Sequence, residues 1–248
     1  MRDPRRRGDA RSIAPTTPKK IKPTKLRIIG GQMRGRGVVY MGDRTTRPMK
    51  DSIRETLFNI LGRTIKQSIA FDLFAGTGVL AIESLSRGSV SAVAIEKSGL
   101  AAKTIRASAD AIGIGDELSV LTGDSFRISI ARMSEVRAGH PTTPWVVYFC
   151  PPYALWVDDQ ARMFDLLVTT IRLAPPDSQI VTETDKFFDV ETLPTGSAEG
   201  AVWDIRRKGN VTLAFLEVPP SKSASATQTP AEMDTAVINE AGADSKNH

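Results

Sequence analysis

Asp72-Leu73-Phe74-Ala75-Gly76-Thr77-Gly78-Val79-Leu80-Ala81 is the stretch from which the fold of this chain is read. An apolar run ends in a Gly-x-Gly-x-x-Ala turn, and a helical pattern begins at Val79. Glycine lets the backbone turn sharply and approach a ligand closely, while the free amides opening the helix attract a carboxylate or phosphate. Eighteen residues past Gly78, Val93-Ala94-Ile95 ends in Glu96, a carboxylate placed to accept hydrogen bonds from ribose hydroxyls. Gly123-Asp124-Ser125 closes the next apolar run, with Asp124 positioned for an adenine amino group. Each acidic residue alone reads equally as a helix cap or solvated loop carboxylate. Three at consecutive strand ends point to an adenosine ligand.

Working outward, strands are expected at 69–74, 91–96, 119–123, 146–150 and 179–184, with helices near 79–87, 98–112, 125–137 and 157–173 between them. That alternation predicts an α/β fold, a doubly wound and mostly parallel sheet. Val202–Arg207 and Val211–Val218, joined through Lys208-Gly209-Asn210, predict an antiparallel C-terminal hairpin at one sheet edge. Upstream, Leu26–Gly30 and Val38–Tyr40 read as two short strands around a Gly-rich turn, and Ile53, Leu57, Ile60 and Leu61 as one helical face ending at Gly62. The expected organisation is a disordered basic tail at 1–24, a small basic β/α module at 25–66, the α/β domain at 67–218 and a disordered tail at 219–248.

The net charge of +5 is unevenly spread. Residues 1–66 hold 18 Lys/Arg against 5 Asp/Glu, residues 67–220 hold 13 against 19, and residues 221–248 hold 2 against 4. A polyanion is drawn to the amino-terminal end, because each phosphate contact by Lys or Arg releases condensed counterions. No run reaches the roughly 18 apolar residues of a membrane span, and the basic, Pro-rich N-terminus is not a secretory signal, so a cytoplasmic protein is expected. The single cysteine, Cys150, with only His140 and His248 beside it, excludes an internal disulfide and a Cys/His zinc site; no structural metal is expected.

Dinucleotides and S-adenosylmethionine both carry adenosine, and the fourth strand separates them. Val146-Val147-Tyr148-Phe149 runs into Cys150-Pro151-Pro152-Tyr153 at the carboxyl edge, where open α/β sheets bind ligands. The prolines stiffen the loop and leave carbonyls without local amide partners, and Tyr153 offers a flat face to a flipped base. A nicotinamide enzyme has no use for such a loop.

Over residues 26–217 the chain resembles the bacterial 16S ribosomal RNA guanine-N2 methyltransferases of the RsmD type. The resemblance rests on Arg27-Ile28-Ile29-Gly30-Gly31-Gln32 with Arg34-Gly35-Arg36, on Arg47-Pro48 with Asp51 and Arg54-Glu55-Thr56-Leu57-Phe58-Asn59, and on Asp72–Gly78 with Glu83-Ser84-Leu85-Ser86-Arg87-Gly88. It implies a Rossmann-like class I methyltransferase domain acting on RNA of the 30S subunit, with S-adenosylmethionine as donor; separately, a monomer is expected. The expected donor site is Asp72, Phe74, Gly76, Gly78, Glu96 and Asp124; the expected catalytic loop is Cys150, Pro151, Pro152 and Tyr153. Arg27, Arg34, Arg36, Arg47 and Arg54 would hold RNA phosphates beside the active site.

Two positions depart from the family. Cys150 stands where the family carries Asp or Asn, and Met33 where it commonly has Trp. A carboxylate or amide oxygen accepts a hydrogen bond from the target amino group, whereas a thiol is a weak acceptor. Reduced activity is the expectation. The alternatives are an RNA-binding ribosome-assembly factor that has lost turnover, and a DNA adenine-N6 methyltransferase with a similar Pro-Pro-aromatic loop.

Overall fold

The computed structural model describes residues 23–41, 48–196 and 200–220. Seven strands form one sheet: β3 (Ile69–Asp72), β4 (Ser91–Glu96), β5 (Leu118–Thr122), β6 (Trp145–Phe149), β7 (Gln179–Asp185), β8 (Asp204–Lys208) and β9 (Val211–Glu217), in spatial order β5-β4-β3-β6-β7-β9-β8. The first five are parallel, and β9 pairs antiparallel with both β7 and β8. β3 and β6 are buried at every residue, as strands covered by helices on both faces must be.

The helices are α1 (Asp51–Leu61), α2 (Val79–Ser86), α3 (Gly99–Ile112), α4 (Ser125–Gly139), α5 (Leu155–Asp158) and α6 (Gln160–Leu173). The stretch expected as one helix over 157–173 is two, broken at Asp159, whose backbone leaves the helical region. One core cluster lies under α1, α2 and α3, and a second, built on Phe71, Trp145, Trp156 and Leu167, under α4 and α6. The chain leaves β3 toward β4 on one side while β6 lies on the other. This reversal opens a crevice at the carboxyl ends of β3 and β6.

The amino-terminal module is a hairpin, β1 (Pro23–Arg27) with β2 (Gly37–Met41), followed by α1. β1 begins at Pro23 and ends before Gly30, earlier than the apolar pattern suggests. Residues 30–33 are claimed by α2 instead: Gln32 N–H donates to the Ser86 carbonyl (2.8 Å), Met33 N–H to Ser86 Oγ (2.9 Å), and Ser86 Oγ–H to the Gly30 carbonyl (2.6 Å). Gly31 makes this approach possible, since at φ 76° a Cβ would sit 1.9 Å from the Ser86 carbonyl oxygen.

Arg54 corrects the expectation that it faces RNA. It is fully buried, with Nε 3.2 Å from Glu83 Oε2 and Nη2 donating to Asp51 Oδ1 (3.0 Å) and to the Arg27 carbonyl. Glu83 is also fully buried and meets Arg87 at 3.0 Å. Arg54 thus fastens α1 to α2 and has no surface to offer a phosphate. Ile60, expected on the apolar face of α1, is exposed; Phe58 is buried in its place.

Candidate active site

The crevice is a cleft of about 820 Å³, within the range of small-molecule sites. Its floor is the β3 turn, with Asp72, Phe74, Gly76 and Thr77; its walls are Glu96, the Asp124–Phe126 segment and the Cys150–Tyr153 loop. Residues 48–50, Ser52 and Ile53 form the rim together with Lys208, Gly209 and Asn210, Lys208 Nζ donating to the Ser52 carbonyl (3.0 Å), and Glu183 lies beside the Cys150–Tyr153 loop.

Gly76 has φ 52°, and its N–H donates to Glu96 Oε2 (2.7 Å), while Glu96 Oε1 accepts from Ser98 N–H (2.7 Å). Two amides therefore orient the Glu96 carboxylate across the turn. Gly78, also expected at the donor site, does not line the cleft. At φ 72°, with a Cβ position 2.7 Å from the Ile105 side chain, it forms the turn and lets α3 pack closely. Asp124 caps α4, its Oδ1 accepting from Phe126 N–H (3.0 Å), and still lines the cleft.

Asp72 is the least ordinary group in the site. It is 1% exposed, and neither carboxylate oxygen has a hydrogen-bond partner within bonding geometry. Burial, with a smaller contribution from the Glu96 charge, raises its pKa to about 7; the Ala81 amide opposes this. A buried acid at the floor of a cleft is a site prepared for a cation.

Cys150 is half-buried at the end of β6. Burial, then the charges of Glu183 and Asp72, push its thiol well above its ordinary value, so it is a neutral thiol at physiological pH. Tyr153 O–H donates to Glu183 Oε1 (2.8 Å), and Trp156 Nε1–H to the Glu183 carbonyl (2.9 Å), which ties the Pro-Pro-Tyr loop to β7.

Residues that sequence reading missed complete the cleft. Phe126 meets Phe74 edge to face (centroids 5.8 Å apart), and the Arg162 guanidinium covers Phe126 at 4.3 Å. Lys50, Lys97 and Lys208 add cations at the rim. Phe126 was readable two residues after Asp124, and Glu183 at the polar end of an apolar strand; the contribution of α6 needed the fold.

The arginines of the module lie elsewhere than expected. Arg34 and Arg36 are exposed in the loop between β1 and β2, and Arg36 Nη1 donates to the carbonyl of Ile112, the last residue of α3. The loop also rests on Ser86, the last residue of α2. Helices following parallel strands run back to the amino edge of the sheet, opposite the cleft, so Arg34 and Arg36 do not flank it. Arg27 is exposed, 3.9 Å from Asp51, and does not line the cleft. Arg47 lies outside the described residues.

Three comparisons place this geometry among known proteins. Ribosomal RNA small subunit methyltransferase D of Escherichia coli (strain K12) is 29% identical over 187 residues, covering 74% of this chain and 84% of that one. An E. coli protein described as a methyltransferase, yhhF, superposes with a TM-score of 0.60 at 24% identity, over 80% of this chain and 100% of its own. A methyltransferase solved in complex with SAH shares the fold at TM-score 0.57 and 11% identity, over 73% of this chain and 53% of its own. The family model described as conserved hypothetical protein 95 matches residues 26–217, and with it the chain belongs to the RsmD-type family.

Proposed function

We propose that the protein transfers a methyl group from S-adenosylmethionine to the exocyclic N2 amino group of a guanine in 16S rRNA of the small ribosomal subunit. The observation that carries this reading is one cleft in which the Gly76 turn and the Cys150-Pro151-Pro152-Tyr153 loop face each other across the topological reversal of the sheet. Kinship to an enzyme named for small-subunit rRNA methylation supports the substrate class, and the fold shared with an SAH complex supports the donor.

The residues fit the donor. Glu96 and Asp124 offer acceptors to a ribose and an adenine amino group, Phe74 and Phe126 offer apolar faces to the base, and unpartnered Asp72 offers a negative charge to a cationic ligand. The sulfonium of the donor supplies an electrophilic methyl carbon. The protein's part is to hold the amino nitrogen in line with that carbon, exclude water and accept the proton released. Exposed Arg27, Arg34 and Arg36 serve RNA held beyond the cleft. Spanning from the cleft to the amino edge along α3, whose 14 residues are about 21 Å long, requires an extended substrate such as rRNA.

Undermethylated 30S particles incubated with tritiated S-adenosylmethionine test the reading. Incorporation at guanine, located by mass spectrometry of the digested rRNA as N2-methylguanosine, is the expected result. Label on adenine would overturn it. A second reading, an assembly factor without turnover, is favoured by the protonated Cys150 thiol alone, and binding of both donor and particles without incorporation would establish it.

A further inference from the structure

We propose that Glu183 supplies the oxygen acceptor for the target amino group that residue 150 lacks in this chain. The inference rests on reading the cleft as an amino-methyltransferase site. The position before Pro151-Pro152 carries sulfur, a poor acceptor, and the thiol stays protonated, so neither an oxygen nor a negative charge is available there. An amino nitrogen that gains a methyl group must shed a proton, and some group beside the loop has to take it.

The carboxylates lining the cleft sort themselves by position. Glu96 and Asp124 are engaged by backbone amides at the donor end. Asp72 lies under the turn, 1% exposed. Asp159 is paired with Arg162 at 2.8 Å. Glu183 lies on β7, which pairs with β6 on the side away from β3 and Asp72. The register Phe149↔Thr182 places it next to Cys150 at the same sheet edge, its amide donates to Cys150, and its carboxylate receives the Tyr153 hydroxyl at 2.8 Å. Tyr153 therefore does two things: its ring faces the base, and its hydroxyl orients the carboxylate that receives the base's amino group.

The step balances. The amino lone pair forms the new N–C bond as the C–S bond breaks with its electron pair left on sulfur, which becomes neutral. The extra N–H proton passes to the Glu183 carboxylate and then to water.

The test uses Glu183→Leu, Glu183→Gln, Cys150→Asn and the double variant Glu183→Leu/Cys150→Asn in the full chain. Asn rather than Asp is placed at 150 because a third carboxylate beside Asp72 and Glu183 would be repelled into its protonated form. Single-turnover methylation of undermethylated 30S particles should fall about 100-fold in Glu183→Leu, the scale of a positioned proton acceptor. Donor affinity by calorimetry should be unchanged, and the double variant should recover at least tenfold. Independently of activity, the pH profile of Cys150 alkylation by iodoacetamide should move to lower pH in Glu183→Gln, because the Glu183 charge holds the thiol up; Asp72, also facing it, remains.

Wild-type rate in Glu183→Leu, no recovery in the double variant, or an unmoved alkylation profile would each overturn the role of Glu183. A wild type that binds donor and 30S particles yet transfers nothing would instead overturn the methyltransferase reading beneath it.

Discussion

Asp72 carries a measurable consequence of its burial. Its carboxyl titrates near 7 in the folded chain against an ordinary 3.8, so between these values the folded state binds more protons than the unfolded one. Its effect is therefore most favourable below about pH 4, and stability is lost as pH rises through about 7. At about 1.4 kcal/mol per unit, the loss is at most about 4 kcal/mol. Asp72→Asn removes the titration. Urea denaturation at pH 4.5, 6 and 7.5 should show wild type weakening relative to the variant as pH rises; a constant difference would show that Asp72 ionises normally. Donor binding should run the opposite way. If the ionised carboxylate receives the cationic donor, wild-type affinity rises with pH up to about 7 and levels off, and Asp72→Asn loses both the rise and part of the affinity. The residue could be named from the sequence because it ends an apolar strand before the glycines. Its missing partners could not, since they depend on which amides the turn directs elsewhere.

At the scale of elements, α1 shows what a charge count conceals. Arg54 adds one charge to a basic segment, yet it falls at helical spacing with Leu57, Phe58 and Leu61, all buried, and the periodicity places it on the inner face. Helical position outranks residue type here, and the partner that accepts the buried charge, Glu83 on α2, can be found only by folding. Breaking a buried pair leaves an uncompensated charge and typically costs 3–5 kcal/mol. Glu83 keeps Arg87 and the Ile29 amide, which puts Arg54→Met near the lower end, about 3 kcal/mol, read as a drop in the urea midpoint with little change in slope. A loss below about 1 kcal/mol would mean that apolar packing alone fastens α1. The β strands were legible for the opposite reason. Parallel strands covered on both faces must be nearly continuous apolar runs, so β3, β4 and β6 stand out between glycines and helix caps.

For the whole molecule, electrostatics and topology act at different ends of the sheet. Arg34 and Arg36 are exposed, while the cleft has its own cations in Lys50, Lys97 and Lys208. Arg34→Ala should weaken binding to 30S particles and flatten the salt dependence by about one phosphate contact, leaving stability and donor affinity unchanged. Lys97→Ala, at the cleft, is expected to weaken the donor or the target base instead. Filter binding across a salt series separates the two, and equal slopes for wild type and Arg34→Ala would remove the module loop from the RNA surface. The charge count locates the arginines in the amino-terminal part of the chain, while the side of the sheet they occupy is set by where the loop meets α2 and α3. Chain topology also sets a timetable. Lys208 Nζ donates to the Ser52 carbonyl and Thr56 Oγ1, partners 156 and 152 positions away in the chain. At about 5–20 residues per second, translation separates these partners by roughly 8–30 s. For that interval a nascent chain carries its basic amino-terminal module while the cleft still lacks its β8–β9 wall, so on the reading proposed above the surface offered to RNA is complete before the site that would act on it.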